Sequence, residues 1–197
     1  MVSADALHTQ TDTVKHLVDE RKAHYLPTVK GNQPILFAQV KALPWVQAPT
    51  LFTETERGHG RHERHTVKVH TAPRIAFPHA AQVLRVHRWV KEVATGRVRR
   101  TYAYVVTSVP AERADAARLA GLVRGHWRIE ALHHVRDVSF GEDASRVRSG
   151  HGPQNMAMLR NLAIPLLTEL GMTSIPEAVR WVSYETFTRP LELLQIP

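Results

Sequence analysis

R-G-H-W-R-I-E-A-L-H-H-V-R-D-V-S-F-G-E-D-A-S-R-V-R, running from Arg124 to Arg148, is the stretch whose reading decides the fold. It reads as the second half of a long helix followed by a charged turn. At about 100° per residue, His126, Glu130, His133 and Asp137 fall on one side of that helix. Ile129 and Leu132 sit beside them on an adjoining apolar stripe. Two readings follow from the pattern. The plainer one is a solvated face with Glu130 paired to a neighbouring arginine. The other is a carboxylate ringed by histidines and arginines and held at the edge of a buried stripe for chemistry.

Upstream, residues 1 to 6 are β-compatible and end near Asp5. Val14, Leu17 and Val18 follow at helical spacing, with Thr11 or Asp12 as N-caps. Residues 24 to 29 (H-Y-L-P-T-V) form a second short apolar strand, closed by K-G-N-Q-P. Strand, helix, strand predicts a parallel pair joined by a crossover helix. Ligand sites in such sheets lie beyond the strand C-termini, where Asp5 and Lys30 both fall. Residues 35 to 43 predict a short amphipathic helix stopped by Pro44, and 46 to 58 predict a loop.

The next stretch carries His59, His62, His65 and His70, which invites a zinc reading. The alternation from Arg61 to His70 is that of a strand, whose side chains project in parallel, so zinc is rejected there. Residues 83 to 93 and 98 to 106 predict two more strands joined by a turn at 94 to 97. One face of that hairpin is Val/Leu/Tyr and the other Arg/Lys. The basic face either tracks phosphates or is simply solvated. Ser108 and Pro110 are start signals for the long helix, with Glu112 in its first turn, and the helix runs to about Val138. Pro153 opens another helix with Met156, Leu159, Leu162, Ala163, Leu166, Leu167 and Leu170 as a wide apolar stripe, and Gly171 ends it. Met156 and Met158 read as gap-filling core. Short helical pieces cover 175 to 182 and 189 to 194.

The chain has 197 residues, of which 43% are hydrophobic, enough for a real core. It has no cysteine, which excludes disulfides and thiolate metal sites and fits a reducing cytoplasm. No apolar run approaches a membrane span, and no signal-peptide pattern opens the chain. The net charge of +8, with 13 further histidines, favours a polyanionic partner.

R-x-H-W-x-I-E followed by D-V-x-F-x-E-D-x-x-R-x-R resembles the C-terminal signature of bacterial insertion-sequence transposases, in the branch that includes the H-repeat-associated proteins. The resemblance extends through V-S-A-D-A-L-H-T-Q and Y-L-P-T-V-K-G-N-Q near the start, and R-N-L-A-x-x-L-L and A-x-R-W near the end. It implies a DDE enzyme with an RNase H-like core, in the α/β (α+β) class. Residues 1–197 would be a single truncated core. Within it, 1–45 would be a partial β-α-β segment, 55–107 a β-rich insert, and 110–197 a helical part carrying the catalytic glutamate. It further implies that Asp5 is the second catalytic aspartate and Glu130 the last member of the triad. Two Mg²⁺ or Mn²⁺ ions would be held by such carboxylates to stabilise an in-line displacement at phosphorus. Lys30, Asn32, Arg61, Arg64, Arg124, Arg128, Arg136, Arg146 and Arg148 are the candidate DNA contacts. Trp127 is either core packing or a base-stacking group.

There are three departures from the family pattern. The usual I-E-N is Ile129-Glu130-Ala131, so an amide is missing. Seven residues after Glu130, where relatives place a cation, stands Asp137, leaving Arg124, Arg128 or Arg136 as the helper. No counterpart of the first catalytic aspartate occurs, and Asp12 and Asp19 are poorly placed to substitute. The sequence therefore predicts a transposase fragment with an incomplete metal site and an open apolar sheet edge. The expected partner is double-stranded DNA, at insertion-sequence ends and target, with more than one protomer in synapsis, no membrane, and a bacterial cytoplasm as compartment. Two other classes remain: a non-catalytic DNA-binding remnant, and a zinc hydrolase built from His126, Glu130 and His133 or His134.

Overall fold

The computed structural model describes residues 1–58, 60–72, 74–169, 171–172, 174–194 and 196. His59 of the histidine run and Leu170 of the apolar stripe lie outside the described residues. The chain divides into two compact units, Met1–His126 and Trp127–Pro197.

The first unit is built on one mixed six-stranded sheet of order β1-β2-β6-β5-β4-β3. β1 (Val2–Ala4) and β2 (Tyr25–Val29) are parallel, with Val2 opposite Tyr25. The crossover between them is α1 (Thr11–Lys15), which widens into a π-helical turn over His16–Glu20. The β-α-β unit predicted from sequence is therefore present, but its cap is not. Gln10 precedes α1 without a side-chain cap bond. Thr11 and Asp12 lie inside the first turn, while the buried Thr9 hydroxyl donates to the Thr28 carbonyl at 2.7 Å and ties the helix approach to β2. α2 (Pro34–Lys41) follows β2, with proline at its start where no amide donor is needed.

β3 (Thr50–Gly58), β4 (Arg61–Thr71), β5 (Gln82–Glu92) and β6 (Val98–Thr107) form an antiparallel meander. β6 pairs antiparallel with β2, Thr28 opposite Val105, so the strands of 55–107 share one sheet with the N-terminal β-α-β unit. The predicted loop at 46–58 is in large part strand β3. It escapes an apolar-pattern search because it is an edge strand, mostly exposed on both sides. Its Thr-rich sequence is held by the ladder to β4 instead of by burial.

Residues directly opposite in an antiparallel ladder share a face. On one face, Tyr25, Val29, Val83, Tyr104 and Val106 pack with Val14 of α1, Leu36 and Val40 of α2, and Trp45. On the other lie the buried Leu26, Val67, Leu84, Val86 and Val105. The start of α3 (Ala116–Phe140) lies on this second side: Ala116, Leu119, Ala120 and Val123 are buried, and Arg124 pairs with Glu54 and Glu56 of β3.

α3 starts later than Ser108 and Pro110 predict. The Ser108 hydroxyl is already engaged, accepting from the Tyr25 amide at 3.1 Å. Asp115 does the capping, its Oδ1 accepting from the Arg118 amide at 2.8 Å.

In the second unit, α4 (Gly152–Glu169), α5 (Ile175–Tyr184) and α6 (Arg189–Leu193) follow a turn near the predicted charged segment. The predicted stripe on α4 is covered only in part: Met156, Ala163 and Leu166 are half-buried, but Leu159 and Leu162 are exposed, as is Met158, which is surface and not core. Leu167 is buried, and so, unexpectedly, is Arg160. Periodicity places side chains on a helix face but does not say that anything covers it.

Candidate active-site elements

Asp5 stands just beyond the C-terminal end of β1, as the strand order predicts. Its carboxylate also caps the short 3-10 turn Ala6–His8, Oδ1 accepting from the Leu7 amide at 2.9 Å. That bond engages one carboxylate oxygen of the half-buried Asp5. The K-G-N-Q loop after β2 comes to the same place. The Asn32 side-chain amide donates to the Ala6 carbonyl at 2.5 Å, and the Gln33 amide donates to Gln10 Oε1 at 3.0 Å. Parallel pairing of β1 and β2 therefore brings Asp5 and residues 30–33 to one edge of the sheet. Asn32, a candidate DNA contact, has its NH₂ group tied to the backbone beside Asp5. Lys30 is exposed.

Glu130 lies on α3 within the second unit and is exposed. The buried stripe expected next to it is not buried, since Ile129 is 50% and Leu132 37% exposed. Trp127 is half-buried. One turn and more further on, His133, Arg136, Asp137, Glu142 and Asp143 line a polar hollow of about 260 Å³. Arg136 and Glu142 form a two-pronged ion pair across it. That pairing raises the Arg136 pKa and lowers that of Glu142. The predicted charged turn is thus closed back onto α3 by its own glutamate.

The predicted cations have different circumstances. Arg124 sits between Glu54 and Glu56, whose hydrogen bonds raise its pKa. Sequence reasoning missed these two partners because their strand read as loop; the E-x-E spacing, which puts both on one strand face, was the available signal. Arg61 and Arg64 are both exposed, but the register places them on opposite faces of the sheet. Arg64 lies over the Trp89 ring, 5.6 Å from its centroid. Arg128, Arg146 and Arg148 are exposed in the second unit.

Among the described residues, no three histidine or carboxylate side chains are grouped closely enough to hold a metal ion, the set His126, Glu130, His133 and His134 included; His59 of the other zinc reading lies outside the described residues. On β4, His62 and His70 share a face and His65 takes the other. Asp5 and Glu130 do fit a hard divalent cation in chemical type, offering carboxylate oxygens and no soft donors. No described helix is long and apolar enough to cross a membrane.

Comparison with known proteins agrees with this layout. Residues 1–166 match the family model for the transposase DDE domain. The chain is 31% identical to an Escherichia coli O157:H7 protein named "Putative transposase YncI", the match covering 86% of this chain and 46% of that protein. The chain thus spans about half the length of that curated relative. With the family model covering most of its residues and the β-α-β segment, meander and long helix in the expected order, the chain belongs to the DDE transposase family.

Proposed function

We propose that this chain is part of a transposase catalytic core that cleaves and joins DNA strands at insertion-sequence ends. In this reading Asp5 and Glu130 are two of the carboxylates that hold magnesium or manganese. When bound, the metal pair supplies charge stabilisation for the attacking and leaving oxygens at phosphorus. Asp5 is the better supported of the two. Its carboxylate is held by the Leu7 amide at the C-terminal end of β1, beside the K-G-N-Q loop, whereas the family-model match includes both residues alike. Glu130 rests on its place in the H-W-x-I-E motif and on its exposure. Lys30, Arg128, Arg146 and Arg148 are exposed cations suited to phosphate contact. Arg124 and Arg136 are less suited, since each would first have to leave a carboxylate.

Within these 197 residues the acidic pair stands without a third family carboxylate. The polypeptide by itself is therefore expected to nick duplex DNA at background rates in Mg²⁺ while still binding it. Metal contact is read separately: Mn²⁺ should broaden NMR signals near Asp5 and Glu130, and Asp5→Asn or Glu130→Gln should remove the local effect. Strong nicking that survives both substitutions would overturn the assignment of these residues. Strong nicking lost in both would uphold it and overturn the expected incompleteness. A second reading is duplex binding without chemistry, supported by the net charge of +8 and the exposed cations of the chain. Salt-sensitive binding with neither cleavage nor Mn²⁺ broadening would select it.

A further inference from the structure

The strands β3 to β6 sort their charges by face. Every glutamate they carry points to the face where α3 starts: Glu54 and Glu56 on β3, Glu63 on β4 and Glu92 on β5. Each has an arginine there. Arg124 serves Glu54 and Glu56, Arg88 holds Glu63 at 2.7 Å, and Arg99 lies 3.7 Å from Glu92. The opposite face carries no carboxylate in the described residues of these strands. It carries Arg57, Arg64, Arg85, Lys91 and Arg100, with His87 among them. Arg57, Arg64, Lys91 and Arg100 are exposed, so this charge is available to solvent.

From this sorting we infer that the open face of β3–β6 is a duplex-DNA surface that contacts phosphates without reading bases. The inference rests on the DNA-partner reading and adds a surface to it; of the earlier candidate residues only Arg64 belongs to it. Same-face residues lie about 7 Å apart along a strand and strands about 5 Å apart, so these cations spread over several phosphates instead of converging on one anion. The aromatic side chains of the face are already covered by charge. Arg64 lies over Trp89, and Arg85 is 5.3 Å from the Tyr102 centroid. Tyr102 also stacks on His87, with centroids 4.7 Å apart. Rings engaged this way are less free to stack on unpaired bases, although Tyr102 stays 55% exposed, and the spread of cations over several phosphates favours a duplex. Three of its arginines, Arg64, Arg85 and Arg100, also act on His87, adding to the effect of burial in lowering its pKa, as expected where cations lack counter-charges.

The test compares two triple variants of the full chain with equal loss of charge: Arg64→Gln/Lys91→Gln/Arg100→Gln on the open face, and Arg88→Gln/Arg99→Gln/Arg118→Gln on the side where α3 starts. Binding to a duplex of arbitrary sequence is measured against salt, with circular dichroism melts as a check on folding. The open-face variant should weaken binding on the order of 10- to 100-fold near 0.1 M salt and flatten the log–log salt slope by about two to three. The control should stay within about threefold. The single exposed-site variants Lys91→Gln and Arg100→Gln should each flatten the slope by about one, which keeps the test decisive if the triple folds poorly. Equal losses in both triples, or an unchanged slope in the open-face variants, would overturn the inference and leave the DNA-partner reading intact. A wild-type chain that binds no duplex at any salt would overturn both. Tighter wild-type binding to single strands than to duplex, lost in the open-face triple, would overturn the duplex assignment.

Discussion

The two faces of the β3–β6 meander handle charge in opposite ways. On the side where α3 starts, acids and arginines are matched, and the buried Leu84, Val86 and Val67 lie in the same layer. On the other side the end near β2 is packed under α1, α2 and Trp45, but the rows from His87 outward carry unmatched cations. Self-repulsion among like charges costs stability. A face that keeps such a cluster while its reverse neutralises every glutamate differs in more than composition: the matched side is arranged for the fold and the open side, on our inference, for an external anion.

The largest effect should come from the packed side. Leu84 is fully buried, and Leu84→Ala removes its side chain from a closed layer, at a cost of about 2–5 kcal/mol. Val98, at the open face's outer row, is 39% exposed, and Val98→Ala should cost less than about 1 kcal/mol. Urea melts of the two variants read the contrast directly. Comparable losses would mean that the open face is packed in solution, which would also remove it as a DNA surface.

The strands behind this contrast were readable in the sequence, but the sorting was not: the hairpin of 83–93 and 98–106 does not split into a Val/Leu/Tyr face and an Arg/Lys face, since Tyr102 and Tyr104 lie with Arg85, Lys91 and Arg100 while Arg88 and Arg99 lie with Leu84 and Val86. The alternation of Arg61–His70 and of 83–93 and 98–106 gives three strands. The position of Asp5 was readable as well, because strand-helix-strand order places it just past β1 whatever the family, but the pattern alone read it as a cap or turn residue, which its bond to the Leu7 amide matches, and a metal role came only from the resemblance. What could not be read were features set by distant partners. β3 has no apolar alternation of its own and exists through its ladder to β4. The Glu54–Glu56–Arg124 group joins residues about seventy positions apart. The stripe on α4 has the spacing of a core helix, but Leu159 and Leu162 are exposed, because periodicity describes a helix without its neighbours. Glu130 was singled out through its motif; its surroundings in the structure are more open than the apolar stripe predicted.

A middle-sized effect lies at the start of α3. Ser108 and Pro110 had the composition of a helix start, yet Asp115 supplies the cap because Ser108 is used by β2. Asp115→Ala should cost about 1 kcal/mol, and Asp115→Asn much less, since an amide oxygen also accepts from the Arg118 amide. Because Arg124 stands on this same helix, fraying its start should loosen the matched side. The cost of Asp115→Ala should therefore be smaller when Glu54 and Glu56 are already replaced by glutamine. Full additivity in that cycle would mean that the cap and the ion pairs act independently.

The smallest effect, and the one most specific to the open face, concerns His87. Its pKa lies below the usual 6.5, first because burial disfavours the imidazolium and then because Arg64, Arg100 and Arg85 repel it. Folded His87 therefore releases its proton more readily than the unfolded chain does. The unfolded state binds more protons in the window from pH 6.5 down to the lowered value, so stability falls as pH falls through that window and recovers above it. His87→Gln should make the urea midpoint less sensitive to pH between about 5 and 7. Arg100→Gln should do the same more weakly by removing one repelling charge. Bound duplex should act in the other direction, since phosphates beside His87 favour its charged form, and binding near pH 6 should then take up a fraction of a proton. Calorimetry in buffers of different ionisation enthalpy measures that uptake. If it is the same in wild type and His87→Gln, the phosphates lie elsewhere, and the open face of the sheet is merely solvated.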